Sequence, residues 1–468
     1  MQLHEEKYKD LNLKIGLEIH VQLKTNQKIF CECSTDYINS PPNNNICPIC
    51  TSQPGSKPMG VNEKALENLL KIGLFLGCKA YEKPFYVQRK HYFYPDLPSN
   101  YQRTSQPILG NGVFMGVGIW EIHIEEDPGR YELREGKVDL NRSGVPLAEI
   151  VTAPDIKSPE YAREFLRDLL LSLEYLGVIR GESGSIRADV NISIMGGNRI
   201  EIKNVNSVKG IYKALKYEIV RQKAVLQRGG TITMETRHFD EASMITKTLR
   251  KKETVADYRY IPDPDLVPIY ISPEMLQEIE SVLPESPHNK KKRFMEEYCL
   301  GEEIVDALIS DLYLSDLFEE SAKNSNPLEA GKWCATELKR RLNEKNLSVS
   351  TSKITAKHIS DMVGFIERGE LSVKNAKWII EDAVDTGEEI PVLMDKKNFY
   401  QISSEEALVK IIEKIIGDNP KAVLDFKSGN ENALHFLFGK VVNETEGRAE
   451  PSKTIKLLKD ILCGGLNA

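Results

Sequence analysis

Apolar and polar residues alternate almost without fault over residues 15–23, "IGLEIHVQL". Successive side chains of a strand point to opposite faces, so Ile15, Leu17, Ile19, Val21 and Leu23 share one side and Gly16, Glu18, His20 and Gln22 the other. The apolar side is a core face. The polar side is either an ordinary solvated face or the floor of a site, and the strand alone favours solvent, because half-buried strands commonly look this way.

Short β-type runs such as "RIEIKNVNS" and "YRYIPDPDLVPIYI" dominate up to about residue 285, with "NG", "GG" and "DP" as turn signals between them. Two helical patterns interrupt them. One is "NEKALENLLKIGLFLG" from Asn62; the other is "SPEYAREFLRDLLLSLEYLG", where Ser158 suits the N-cap, Pro159 the first turn and Gly177 the stop. Beyond "LPESPHN" the period turns helical with little β signal, and it shifts again near Met394. The pattern predicts an α+β chain of three domains: a mixed β-rich domain with flanking helices and a cysteine-bearing insert over 1–285, an all-α domain over 286–396, and a small α-helical tail domain over 397–468.

Four of the eight cysteines fall in "IFCECST" and "NICPICTSQPG", so that Cys31 and Cys33 form C-x-C and, after a spacer of thirteen residues, Cys47 and Cys50 form C-x-x-C. Thiolates so spaced converge tetrahedrally on Zn²⁺ from two adjacent turns; redox chemistry at C-x-x-C is the competing reading. A closed four-thiolate site serves folding and not catalysis. Cys78, Cys299, Cys334 and Cys463 lie singly in apolar settings and are expected in the core.

The opening pattern returns in "WEIHIEEDPGR", which places Glu121, His123 and Glu125 on one parity and breaks it at Glu126. Glu149 in "PLAEIV" and Asp189 in "RADVNIS" keep apolar company, with Glu201 and Lys203 in "EIKNVNS" close behind. A carboxylate in such company is costly to bury unless it is paired or holds a cation, and a group of them suits Mg²⁺, which takes oxygen ligands and leaves positions for phosphate oxygens. Phosphoryl transfer is the natural use. The chain has no P-loop, no G-x-S-x-G and no H-E-x-x-H; "NGVFMGVG" reads as a turn between strands.

Composition adds exclusions. At 41% hydrophobic and 28% charged residues with a mean hydropathy of −0.36, the chain is neither disordered nor membrane-embedded. No run of about 18 apolar residues occurs, and the charged opening "MQLHEEKYKDLNLK" is unlike a signal peptide, so a cytoplasmic location is expected. A net charge of −7 argues against a wholly basic nucleic-acid surface. The run "HNKKKR" is expected to open a solvated helix.

The runs "IGLEIHVQLKT", "RKHYFYPDLPSNYQ", "IHIEEDPGR", "VDLNRSGVPLAEIVTAPDI", "RADVNIS", "EIKNVNS", "ETRHFDE" and "DYRYIPDPDLVPI" stand in one order across the chain. In that order they resemble the B-subunit family of the aspartyl-tRNA(Asn)/glutamyl-tRNA(Gln) amidotransferases. The related E subunits carry an extra domain after the shared motifs, for which "PDLVPIYISPEMLQEIESVLPESP" leaves no room.

The resemblance implies a cradle domain that uses ATP and Mg²⁺ to phosphorylate the side-chain carboxylate of Asp-tRNA(Asn) or Glu-tRNA(Gln). Ammonia then displaces the phosphate. An amidase-type A subunit supplies that ammonia from glutamine, and a small C subunit completes a heterotrimer. Carried over by motif, Glu18, His20, Glu125, Glu126 and Glu149 are the implied Mg²⁺ ligands, with only one of Glu125 and Glu126 expected to touch the ion directly. Asp189, Asn191, Glu201, Lys203 and Asn204 line the same site, with Lys203 neutralising phosphate. The four cysteines match the family's zinc-bearing branch. The helical and tail domains are implied to hold tRNA; Lys453, Lys456 and Lys459 recur every three residues and read either as a basic stripe or as a plain solvated helix face. Two other readings compete: an ATP-dependent carboxylate-amine ligase acting on a free small molecule, and a noncatalytic zinc-containing tRNA-binding module.

Overall fold

The computed structural model describes residues 6–132, 135–181, 186–251, 258–402 and 405–464. It divides into two compact units, residues 1–287 and 288–468.

The first unit is mixed α and β. Its strands are β1 (Lys14–Gln22), β2 (Lys79–Ala80), β3 (Val87–His91), β4 (Tyr101–Ser105), β5 (Leu109–Phe114), β6 (Val117–Glu126), β7 (Arg130–Glu132), β8 (Lys137–Asp139), β9 (Pro146–Thr152), β10 (Ile186–Ser193), β11 (Ile200–Val205), β12 (Glu235–Asp240), β13 (Ile245–Lys251) and β14 (Ile261–Pro262). Twelve of them form one sheet in the order β13-β12-β11-β10-β1-β9-β6-β4-β3-β14, with β5 and β2 branching from β6. Only the β11–β12 pair is parallel among the described strands. The strand signalled by "IGLEIHVQL" is therefore central, paired on both sides by β9 and β10. "NGVFMGVG" spans the end of β5, the two-residue turn at Met115 and Gly116, and the start of β6.

Helices α1 (Glu63–Phe75), α2 (Pro159–Tyr175), α3 (Val208–Gln227) and α4 (Pro273–Ser281) accompany the sheet. Asn62 Oδ1 accepts the Ala65 N–H at 3.0 Å, and Ser158 Oγ accepts the Tyr161 N–H at 3.1 Å, each satisfying one of the orphan donors at its helix start. Gly177 takes a left-handed φ of +63° just past the end of α2, a conformation that favours glycine there.

Ile15 and Ile19 of β1, Ile122 of β6, Ile150 of β9 and Val190 of β10 are fully buried against Leu69, Phe165 and Leu215 of the first three helices. Each such side chain is worth about 1.5–3 kcal/mol when removed from water. Slipping β1 by one residue would exchange this set for Glu18 and His20, so the register is strongly specified.

The second unit is helical between Pro287 and Gly464, and it contains two apolar clusters: one runs from Phe294 to Met394, the other from Leu408 to Leu462. Two sequence expectations need correction here. "HNKKKR" does open a helix, Pro287–Glu297, but Lys290 is buried because Ser315 Oγ and the Asp316 carboxylate accept its ammonium hydrogens. Of the four single cysteines, Cys78 and Cys334 are buried, whereas Cys299 and Cys463 are exposed because they fall near helix ends, on the water-facing side. No helix among the described residues is long and apolar enough to cross a membrane.

Candidate active site

The face of the sheet opposite the helices collects its polar residues through register. In β1, Glu18 lies across from Asp189 of β10 and His20 from Glu149 of β9. Glu149 in turn faces His123 of β6, while Asn191 of β10 faces Glu201 of β11, itself opposite Thr236 of β12. Residues opposite each other in neighbouring strands point to the same side and stand close, so a stripe of chemistry crosses six strands. The solvated face suggested by β1 alone is thus the floor of a cleft.

Two adjoining cavities of about 420 and 390 Å³ open on this stripe and share Glu18, Lys90, Glu125, Glu149, Lys203, Thr236 and Tyr258 as walls. Within them the acids fall into two groups. His20, Glu125 and Glu149 form one, with His20 Nε2 at 3.7 Å from Glu125 Oε2 and 3.8 Å from Glu149 Oε1. Glu18, Asp189 and Glu201 form the other; in each group the potential ligand atoms lie within 4.8 Å of one another. Lys203 Nζ bridges Asp189 at 2.6 Å and Glu201 at 2.9 Å, Asn191 Nδ2 donates to Glu18 at 2.8 Å, and Thr236 Oγ1 donates to Glu201 at 3.1 Å.

The electrostatics follow from crowding. Burial, and then the neighbouring Glu125, hold the Glu149 carboxyl well above the usual carboxylate range. Glu125 is also buried, yet Lys90 and His20 outweigh the burial and pull it below that range. Burial lowers His20. Lys90 and Lys203 each overcome burial through facing carboxylates, Glu125 and Glu149 for the first and Asp189 and Glu201 for the second, and so keep their charge. The imidazole of His123 overcomes burial through the hydrogen bond to Glu121 at 3.2 Å and is raised to about 9.

This donor set fits a hard divalent cation. Clustered carboxylate oxygens with one imidazole are ligands Mg²⁺ accepts, and a cation relieves the repulsion that otherwise forces a proton onto Glu149. The Oδ1 atoms of Asn191 and Asp96 are buried acceptors with no donor among the described residues, consistent with a cleft built for a polar occupant.

Glu126 does not join the cluster. It sits on the opposite parity of β6, where its carboxylate accepts the Arg103 backbone N–H at 3.0 Å and lies 3.5 Å from Arg103 Nη1. Arg103 Nε in turn reaches Asp263 at 2.9 Å, and Arg89 pairs with the same carboxylate. Glu126 belongs to this buried ion network and lines neither cavity. The backbone of Asn204 lies in β11, but its side chain is outside the described residues.

Lys90, Tyr258 and Tyr260 line the cleft and carry no assignment from the sequence alone. They fall in the quoted runs "RKHYFYPDLPSNYQ" and "DYRYIPDPDLVPI", but β3 and β14 are too short to show a period, and the aromatic density is the only local signal.

The sulfur atoms of Cys31, Cys33, Cys47 and Cys50 also lie within 4.8 Å of one another. Four sulfurs around one zinc at about 2.3 Å stand roughly 3.8 Å apart, so the set fits a tetrahedral tetrathiolate. Lys28, buried beside them, donates to Cys50 Sγ at 3.4 Å, to the Asn45 carbonyl at 2.8 Å and to the Leu140 carbonyl at 3.4 Å. The hydrogen bond from Cys31, and further Lys28, pull Cys50 down to about 5. All four are free thiols, and their convergence favours metal binding over a redox pair.

Comparison with known proteins gives the family. Residues 13–277 match the model of the GatB/GatE catalytic domain, and residues 316–462 that of the GatB domain. The B subunit of the aspartyl/glutamyl-tRNA(Asn/Gln) amidotransferase of Methanocaldococcus jannaschii is 51% identical over 97% of this chain and 98% of its own length. The protein of the same name from Methanothermobacter thermautotrophicus is 50% identical over 96% of this chain and 100% of its own, and that of Methanococcus maripaludis is 49% identical over 97% and 99%. With the catalytic-domain model matched over residues 13–277 and identity near one half over nearly its full length, the chain belongs to the GatB/GatE family of tRNA-dependent amidotransferase subunits.

Proposed function

We propose that this chain is the amide-forming subunit of an aspartyl/glutamyl-tRNA(Asn/Gln) amidotransferase, a carbon–nitrogen ligase. It converts the side-chain carboxylate of Asp-tRNA(Asn), Glu-tRNA(Gln) or both to an amide, using ATP and ammonia. A carboxylate is a poor acyl donor because its leaving group would be oxide. Once one oxygen carries phosphate, ammonia adds at the acyl carbon, loses a proton and expels inorganic phosphate.

MgATP, when bound, supplies the phosphoryl group and the cation that screens its charge. His20, Glu125 and Glu149 would hold the cation, Glu18 stands in the adjoining group with Asp189 and Glu201, and Glu126 is left to the Arg103 network. Lys203 stays charged between Asp189 and Glu201 and is placed to meet phosphate oxygens, with Lys90 doing the same from the opposite wall. Asn191 orients Glu18, and Thr236 orients Glu201. Four thiolates hold a zinc ion that braces the loops before α1.

The glutamine-hydrolysing A subunit and the small C subunit are the expected partners. Three separate apolar cores support a cradle domain over 1–285, a helical domain over 286–396 and a tRNA-binding tail over 397–468. Lys453, Lys456 and Lys459 all lie on the last helix, Pro451–Gly464, three positions apart, where they could meet tRNA phosphates.

The observation that carries this reading is the convergence of His20, Glu125 and Glu149 from three strands upon one cavity. Glu149→Gln in the reconstituted complex tests it. Amide formation on charged tRNA should fall about 10²-fold or more while glutaminase activity and the far-UV spectrum persist. Unchanged ATP-dependent amide formation would sink the assignment.

A further inference from the structure

Beside charged and polar groups and the apolar Val151, Leu147 and Leu249, the walls of the two cavities carry aromatic rings. Tyr92, Tyr258 and Tyr260 form a run of rings along one side: Tyr92 meets Tyr258 edge-on with centroids 6.0 Å apart, and Tyr258 meets Tyr260 at 6.2 Å. The Lys90 ammonium sits 5.1 Å from the Tyr258 centroid and 6.0 Å from that of Tyr92, holding both rings through cation–π contact.

The segment that carries two of these rings is fastened firmly. Ile261 and Pro262 pair with Arg89 and Gln88 of β3, and the Asp263 N–H donates to the Val87 carbonyl at 2.8 Å. The Asp263 carboxylate is fully buried and accepts Arg89 Nε and Arg103 Nε, both at 2.9 Å. A buried carboxylate held by two guanidiniums is more than a surface strap needs. It fixes the position of Tyr258 and Tyr260 over the cleft, although Tyr260 is itself 37% exposed and adds little to any core.

We propose that Tyr258 and Tyr260 form the stacking wall for an adenine ring. The inference rests on the function proposed above and adds to it a surface for the aromatic face of the substrate, which the acids and lysines of the cleft cannot stack against. An aspartyl or glutamyl side chain offers no aromatic face, and neither do ammonia or phosphate. Among the reactants only ATP and the 3′-terminal adenosine of the tRNA bring a ring to the reacting carboxylate, and both carry adenine. Base-on-aromatic stacking is the general means of holding an unpaired base. Lys90 and Lys203, walls of the same cavity, then meet phosphate oxygens of the nucleotide whose base is stacked.

The test uses Tyr260→Ala, Tyr258→Ala and Tyr260→Phe. Equilibrium dialysis measures MgATP binding to the full chain, and the reconstituted complex gives the KM for charged tRNA. If the ring is that of ATP, each alanine variant weakens MgATP binding about tenfold or more and Tyr260→Phe keeps it. If it is the terminal adenosine, MgATP binding is unchanged and the KM for tRNA rises by a similar factor. Neither quantity moving more than about twofold in the alanine variants overturns the proposal, as does a loss in Tyr260→Phe equal to that in Tyr260→Ala. Failure here is separable from failure of the proposed function: in the first case Glu149→Gln still silences amide formation, and in the second it does not.

Discussion

The cysteine knuckle and the carboxylate cleft are two answers to one problem, the crowding of groups that repel each other once ionised. The knuckle draws all its donors from residues 31–50, on turns, and its four sulfurs converge with no room for more than one ion. The cleft draws its donors from residues 18–201, on five strands, and leaves about 420 and 390 Å³ of open space beside them. A closed set of soft ligands serves a permanent structural ion. An open set of hard ligands, with lysines kept charged among them, serves a cation that arrives with phosphate. On the proposed function, chain locality separates a site that would brace the fold from a site that would do the chemistry.

Removing metal probes the knuckle hardest. One zinc per chain should persist through dialysis, and its extraction by a strong chelator should expose residues around 26–60 to proteolysis before the rest of the first unit; a metal analysis finding none would undo this contrast. Next in size, Asp263→Ala leaves Arg89 and Arg103 without their shared buried partner, and it should cost about 3 kcal/mol in a denaturant titration.

Glu125→Gln and Glu126→Gln divide the cleft side more finely. The first should lower Mg²⁺-dependent amide formation about 10²-fold with little change in melting temperature. The second should lower the melting temperature more than it lowers activity, because Glu126 pairs with Arg103 away from the cavity. Equal effects of both would mean that parity does not separate their roles.

The smallest effect expected is a pH dependence. His123 is raised from 6.5 to about 9 in the fold, chiefly through Glu121, so the stability it contributes is complete below pH 6.5 and lost as pH rises through about 9. Glu121 is nearly half exposed, so the contribution is modest. The difference in melting temperature between the wild type and His123→Gln should shrink over that interval, and a constant difference would refute the ion pair.

Neighbouring residues along the chain were enough to define the elements and their faces. Alternation in "IGLEIHVQL" and "WEIHIEED" put Glu18, His20, His123 and Glu125 on polar faces, and the helical period from Asn62 and the cap Ser158 placed two helices, because side-chain parity and capping are local properties. The cysteine spacing was legible for the same reason. Motif order further associated Asp189, Asn191, Glu201 and Lys203 with one site.

Which polar face meets which was settled in three dimensions. Glu149 and His20 are 129 positions apart yet opposite in register, and no local pattern encodes that pairing. The same holds for the separation of Glu125, beside His20 and Glu149, from Glu126, which pairs with Arg103 on the far side of the sheet. Lys90 and the tyrosines beside it lie on or next to strands too short to have a period, so their place in the cleft comes from β3 pairing with β4 and β14. Exposure in the helical unit was likewise a tertiary matter. Lys290 is buried and Cys299 is not, because a buried ammonium is tolerated where Asp316 faces it, and a thiol near a helix end stays in water when no neighbouring element covers it.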